Sequence, residues 1–271
     1  MAPITVQPEQ IAPDTWLITE LFPAEPGTHI PVRSAVITGA EPIVVDTGTH
    51  LNRHAWMDAL SSIVDPPDVR WVFLSHDDHD HVGNLMEVLA HAPQATLVTH
   101  WFSVERLGGD LRLPLHRMRW VNDGESFQAG GRELIAMRPP IFDAPTARGL
   151  FDPRTGFYWG ADAFAALVTP GVVEASDLPR EMWEDTFTLL NRWISPWAAM
   201  LDEDKYAARL HQLRSMGATT VVGAHGPVLR GAQIDRAYEL LAQFPSLPDV
   251  EFPGQDMLDA LLTPIAPAAA A

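Results

Sequence analysis

The sequence contains no cysteine, which removes disulfides, thiolate nucleophiles, iron–sulfur clusters and thiolate zinc sites together. Positive charge is scarce. Against 35 Asp and Glu stand 18 Lys and Arg, giving a formal net charge of -17 and a pI near 4.9. Such a surface repels phosphate backbones, so nucleic acid is not expected as a partner. No run approaches the roughly 18 consecutive apolar residues of a membrane span. The first residues, MAPITVQPEQIAPDTWLITE, lack the basic stretch and apolar run of a secretory signal. A soluble, cytoplasmic chain without membrane contact is the expectation. What is plentiful is apolar material, 46% of 271 residues against 20% charged, which supports a large core and argues against wholesale disorder. Eleven histidines are the available soft ligands.

Short β-rich runs fill the first half. TWLITEL from Thr15, SAVIT from Ser34, PIVV from Pro42, VRWVFLS from Val69 and ATLVT from Ala95 read as strands, with helices over 54–64 and 84–91. The middle, from Arg117 to Gly160, returns to strands punctuated by Pro114, Gly124, Gly130-Gly131 and Pro139-Pro140. Helical spacing runs from Leu178 to Met216 with a break at Ser195-Pro196. A last strand, TTVV, ends at Ala-His-Gly-Pro, and a helix covers 230–244. This order suggests two sheets flanked by helices in one domain over 1–265, with 266–271 as a frayed tail.

The informative stretch is Ser75-His76-Asp77-Asp78-His79-Asp80-His81-Val82-Gly83-Asn84. Six successive imidazoles and carboxylates follow an apolar strand, where α/β proteins place their sites. A solvated polar loop is the bland alternative. A bound cation, however, would offset the repulsion between Asp78 and Asp80, and every one of the six is a potential ligand.

These residues resemble the metallo-β-lactamase superfamily, whose motif after a strand is His-x-His-x-Asp-His. Here it reads His76-x-Asp78-x-Asp80-His81, with a carboxylate for the second His. A comparable replacement, normally by Glu, marks the di-iron branch of flavodiiron proteins and stand-alone oxygen-binding relatives. That branch continues with a Pro-Phe-Leu-His-Trp-Pro-like segment, an Asp-Ala-Phe carrying a bridging Asp, and a late Ala-His-Gly-Pro. This sequence has Pro140-Ile-Phe-Asp143-Ala-Pro145, Asp162-Ala-Phe164 and Ala224-His225-Gly226-Pro227 in that order. Asp143 stands where the family has a histidine, and Ala-Pro-Thr replaces its Trp-Pro-Asp.

The resemblance implies a four-layer αβ/βα sandwich of two mixed sheets with outer helices. It also implies two metal ions, one held by His76, Asp78, Asp143 and Asp162, the other by Asp80, His81, Asp162 and His225. Four carboxylates would neutralise two divalent cations, and hard oxygen ligands shift the preference towards iron, with manganese or zinc as alternatives. Asp46 is expected to orient a ligand imidazole. His79, at a spacer position, is expected nearby or on the surface. Tyr158 and Trp159 are candidate pocket residues, with core packing expected for at least one. His29, His91, His100, His116 and His211 read as surface or capping residues.

After His225 only 46 residues follow, too few for the flavodoxin domain of flavodiiron proteins, and no Gly-rich phosphate loop follows a strand. Electrons would then come from an external donor. The leading expectation is a stand-alone di-iron oxidoreductase that binds and reduces dioxygen or nitric oxide. A binuclear hydrolase acting on an ester, amide or lactone small-molecule substrate is the alternative, and a non-catalytic oxygen sensor the third. A homodimer is compatible with each.

Overall fold

The computed structural model describes residues 3–262, so the tail expected to fray lies outside the described residues. Eight strands form the first sheet: β1 (Ile4–Thr5), β2 (Glu9–Ala12), β3 (Thr15–Pro23), β4 (His29–Ile37), β5 (Ile43–Val45), β6 (Trp71–Phe73), β7 (Thr96–Thr99) and β8 (Met118–Trp120). Their order is β1-β3-β4-β5-β6-β7-β8, with β2 also on β3. Hairpin neighbours β3, β4 and β5 are antiparallel, whereas β5 to β8 are parallel and joined through helices. The second sheet holds β9 (Ser126–Ala129), β10 (Arg132–Met137), β11 (Gly149–Asp152), β12 (Phe157–Trp159), β13 (Thr220–Val222) and β14 (Leu229–Arg230), ordered β14-β13-β12-β11-β10-β9. Only β12 and β13 pair in parallel there. Both sheets are therefore mixed.

Three apolar clusters separate four layers. Leu17, Ala35, Val45, Phe73, Phe127, Leu134, Phe157, Trp159 and Val222 fill the space between the sheets. On the far face of the first sheet, Ile18, Val36, Val44 and Val72 pack with Trp56 and Leu60 of α1 (Arg53–Ile63) and Leu85 and Val88 of α3 (Leu85–His91). On the far face of the second, Tyr158 and Val221 meet Trp183 and Phe187 of α5 (Arg180–Ile194), Leu210 of α6 (Glu203–Ser215) and Leu241 of α7 (Ala232–Ala242). The period of two decides which layer each residue joins: Ala35 and Ile37 face inward and Val36 outward on β4. This is the expected four-layer αβ/βα sandwich.

Two further helices bear on the site. The single turn α2 (His79–Val82) follows β6, and α4 (Trp101–Leu107) follows β7. The His100 ring accepts a hydrogen bond from the Phe102 amide and caps α4. The helix α8 (Gln255–Leu262) lies beyond them. Among the described residues, no helix is long and apolar enough to cross a membrane.

Candidate metal centre

The strand read as Val69–Ser75 keeps ladder pairing only over β6, from Trp71 to Phe73. Leu74 and Ser75 turn out of it and deliver His76 to the edge of the interior, fully buried. The turn α2 presents Asp80 and His81. Its close approach to the loop after β5 requires Gly83, because a Cβ there would lie 2.4 Å from the His50 amide nitrogen and 2.5 Å from the Gly48 carbonyl oxygen. Asp162 follows β12 beside Ala161, which adopts a left-handed φ of 52°. His225 follows β13, and the two turns lie backbone on backbone: Ala224 N donates to the Ala161 carbonyl at 2.7 Å. A Cβ at Gly226 would meet the Phe164 carbonyl oxygen at 2.0 Å. The Asp-Ala-Phe and Ala-His-Gly-Pro segments are thus two faces of one joint.

All seven residues expected as ligands come together. Their donor atoms fall into three overlapping trios, each with mutual separations within 4.8 Å: His76, His81 and Asp162; Asp80, His81 and His225; His76, Asp78 and Asp143. Asp162 lies centrally. Its Oδ1 is 2.9 Å from His81 Nε2 and 3.3 Å from His225 Nε2, while its Oδ2 is 3.4 Å from His76 Nε2. Asp80 comes as close to His225 Nε2, at 3.3 Å, and lies 3.7 Å from His81 Nε2, whereas Asp143 is farther, 3.9 Å from His76 Nε2.

The outer nitrogens of the imidazoles fix the tautomer. His81 Nδ1 lies 3.0 Å from Asp46 Oδ2, and His225 Nδ1 lies 3.0 Å from the Pro31 carbonyl oxygen. His76 Nδ1 lies 2.9 Å from Ser75 Oγ, whose own proton goes to Asp46 Oδ2 at 2.7 Å. Each partner accepts, so each Nδ1 carries a proton and each Nε2 faces inward, where it can hold a second proton or, once that is lost, a metal ion. Asp46, held at a left-handed φ of 55°, also accepts from the Ser75 amide at 2.7 Å and from the Trp159 indole at 2.9 Å. One buried carboxylate therefore ties a strand of the first sheet to one of the second. Inner Trp159 reaches it, whereas Tyr158, one residue earlier, points the other way into the outer helical layer. The pocket role considered for Tyr158 is replaced by core packing.

The electrostatics are those of crowded donors. Burial alone would lower the imidazole of His225, but Asp162 and Asp80 outweigh it and push the group up to about 9. Burial likewise opposes protonation of His81, and Asp80, Asp162 and Asp46 overcome it, raising the group well above its usual range. Asp162 is held well below the usual carboxylate range against its own burial by His76, His225 and His81. On the other side, burial and then Asp162 push Asp143 up to about 6. A cation would replace the inner protons and relieve the carboxylate repulsion. His76 Nε2, His81 Nε2 and Asp162 Oδ1 are buried and crowd together without forming a well-directed hydrogen bond. Three imidazoles and four carboxylates suit two hard or borderline divalent ions.

An open cleft of about 400 Å³ borders Asp80 and His225, with Phe22, Ile30, Val32 and Leu51 as its walls and His50 and His79 on its lining. His79 is accordingly beside the centre but belongs to none of the ligand trios. Several neighbours escaped sequence reasoning. Glu20 is buried and accepts from the amide and hydroxyl of Thr49 at 2.8 and 2.7 Å, pinning the loop beside Gly48. Burial raises its carboxyl, and those hydrogen bonds pull it back only in part. Ser75 and Thr146 are buried polar groups with no motif signal beyond adjacency, and Asp77 sits at a spacer position.

A β-lactamase-like sandwich with seven imidazole and carboxylate side chains gathered between its sheets is the class that fold and site define. The chain belongs to the family described as "ODP family beta lactamase", whose model matches residues 33–226. Among curated relatives, diflavin flavoprotein A 1 of Synechocystis sp. is 24% identical over 199 residues, 73% of this chain and 34% of that protein. The anaerobic nitric oxide reductase flavorubredoxin of Salmonella arizonae is 24% identical over 217 residues, 64% of this chain and 45% of that protein. The chain thus spans between about a third and a half of the length of the curated relatives it matches. Solved structures share the fold. The rubredoxin oxygen:oxidoreductase of Desulfovibrio gigas superposes with a TM-score of 0.78 at 14% identity, over 89% of this chain and 62% of that one. The flavodiiron protein of Giardia intestinalis gives 0.76 at 17% identity, over 89% and 59%.

Proposed function

We propose that this chain carries a di-iron centre that binds and reduces dioxygen or nitric oxide with electrons from an external donor. The observation that carries the reading is the gathering of four carboxylates and three imidazoles held at Nδ1 into three overlapping donor groups. Relatives named as nitric oxide reductase and rubredoxin oxygen:oxidoreductase support it. His76, Asp78, Asp143 and Asp162 would hold one ion, and Asp80, His81, Asp162 and His225 the other. When bound, the pair would supply two one-electron carriers beside the cleft that borders Asp80 and His225.

The residues of the chain do the rest. Asp46, Ser75 and the Pro31 carbonyl keep the imidazole protons on Nδ1, so that no ligand has to turn. Asp162, with one oxygen towards His76 and the other towards His81 and His225, would serve both ions and offset part of their charge. The apolar walls of Phe22, Ile30, Val32 and Leu51 favour a small uncharged diatomic over an ionic substrate. His50 and His79 line the same side of the cleft. The test is direct. Protein loaded with ferrous iron under exclusion of air is expected to consume dioxygen or nitric oxide, with sustained turnover only when a reduced flavin or similar donor is added. A ferrous form inert to both gases, together with a zinc form that cleaves esters or lactones, would replace this reading with a hydrolase.

A further inference from the structure

Asp143 is the ligand candidate with the least support from its own surroundings. It lies in the loop between β10 and β11, its side chain 30% exposed, where the chain could place a carboxylate in many orientations. The loop is nevertheless held from behind. Three residues on, the buried hydroxyl of Thr146 donates to Asp77 Oδ1 at 2.5 Å. The other oxygen of Asp77 receives Nε of Arg106 on α4. Arg148 N donates to the Ser75 carbonyl at 2.9 Å, closing the far end of the loop against the residue that precedes His76. Asp77 is therefore buried with both oxygens engaged, and it belongs to none of the ligand trios.

We infer that Arg106, Asp77 and Thr146 form a latch that positions Asp143 over the ion held by His76 and Asp78. The inference rests on the two-metal reading above. Asp77 and Asp78 are adjacent, so their side chains leave the backbone in different directions: Asp78 towards the centre, Asp77 towards the Asp143 loop. Fixing Thr146 on Asp77 places Asp143 relative to Asp78 through a few bonds rather than through a free loop. Arg106 holds one oxygen of Asp77 and leaves the other to accept from Thr146, and its positive charge also acts on Asp78 and Asp143. Asp77, Arg106 and Thr146 are positioning residues, because none would touch a bound ion.

The test titrates metal-free full-length protein with cobalt(II), reading stoichiometry and visible spectrum, alongside the melting temperature of the metal-free form. Thr146→Val removes the donor at nearly constant volume. It is expected to weaken one of two equivalents at least tenfold, about 1.4 kcal/mol, and to change that equivalent's spectrum. The tighter equivalent should stay as in the parent, the metal-free melting temperature should fall only by the small amount that one stranded acceptor costs, and Thr146→Ser should restore affinity, spectrum and stability together. Asp77→Asn should reproduce the Thr146→Val result. Two equivalents of unchanged affinity in Thr146→Val would overturn the latch and leave the two-metal reading standing. Equal weakening of both equivalents with a lower metal-free melting temperature would overturn it in favour of a purely structural contact. A parent protein that never takes a second equivalent would overturn the two-metal reading, and the latch with it.

Discussion

The two halves of the candidate centre are built on different principles. On the side of Asp80, His81 and His225, the two imidazoles are buried or nearly so, each fixed from behind by an acceptor at 3.0 Å. Asp46 alone receives four hydrogen bonds, and only Asp80 is partly exposed. On the side of His76, Asp78 and Asp143, only the imidazole is enclosed; the carboxylates are partly exposed, and Asp143 is pushed up to about 6 by burial and Asp162. The first half is preorganised by the core. The second depends on a loop, and so is expected to exchange its ion more readily. A site with one rigid and one yielding member combines retention with access.

The largest effect should come from the residue both halves share. Asp162→Ala is expected to abolish binding of both equivalents, read by elemental analysis after loading and desalting; retention of one would break the bridging assignment. Next is Asp46→Ala, which strands the Ser75, His81 and Trp159 donors. It should lower affinity on the imidazole side roughly 10- to 100-fold and cost about 3 kcal/mol of stability. Denaturant unfolding and the emission of Trp159 provide the measurements. Asp143→Ala should weaken only the ion beside His76, whereas Asp143→His should retain it with an altered spectrum. Wild-type metal content and spectra in both variants would remove Asp143 from the ligand set.

A smaller effect is expected from pH on the metal-free protein. His225 is raised from 6.5 to about 9 on folding. Its contribution to stability is therefore complete below about 6.5 and lost as pH rises through about 9. The melting temperature of the metal-free form should fall across that window, and that of the loaded form should not. Smallest is the control far from the centre. Glu184, held down to about 2 by hydrogen bonds from Arg236 and Arg180, contributes above about 4.5 and loses its contribution as pH falls through about 2. Glu184→Gln should cost under about 1 kcal/mol and leave metal uptake unchanged.

Much of this was legible beforehand, for identifiable reasons. The run from His76 to His81 is dense in donors, and the strands around it carry strong apolar patterning. The inward turn of Trp159 and the outward turn of Tyr158 follow from strand alternation once Phe157 is known to face the core. The short strands β1, β2 and β14 were missed because two to four residues at a sheet edge carry no usable period. Helix α4 was missed because its surface residues Trp101 and Arg106 blur the apolar stripe. Asp77 was read with the other five as a potential ligand, and its pairing with Thr146 was illegible for a different reason. The two are 69 positions apart, and only the docking of the two sheets brings them together.

That docking has a consequence for how the molecule holds itself closed. His76, Asp78, Asp80 and His81 leave the first sheet, and Asp143, Asp162 and His225 leave the second. A bound ion is thus a removable cross-link between the halves, in a chain that has no cysteine to make a permanent one. With free metal a hundredfold above its dissociation constant, each ion would add about 2.7 kcal/mol against separation of the sheets. Chelation should accordingly speed hydrogen exchange first at the rim where the sheets meet, and only later in the helical layers outside.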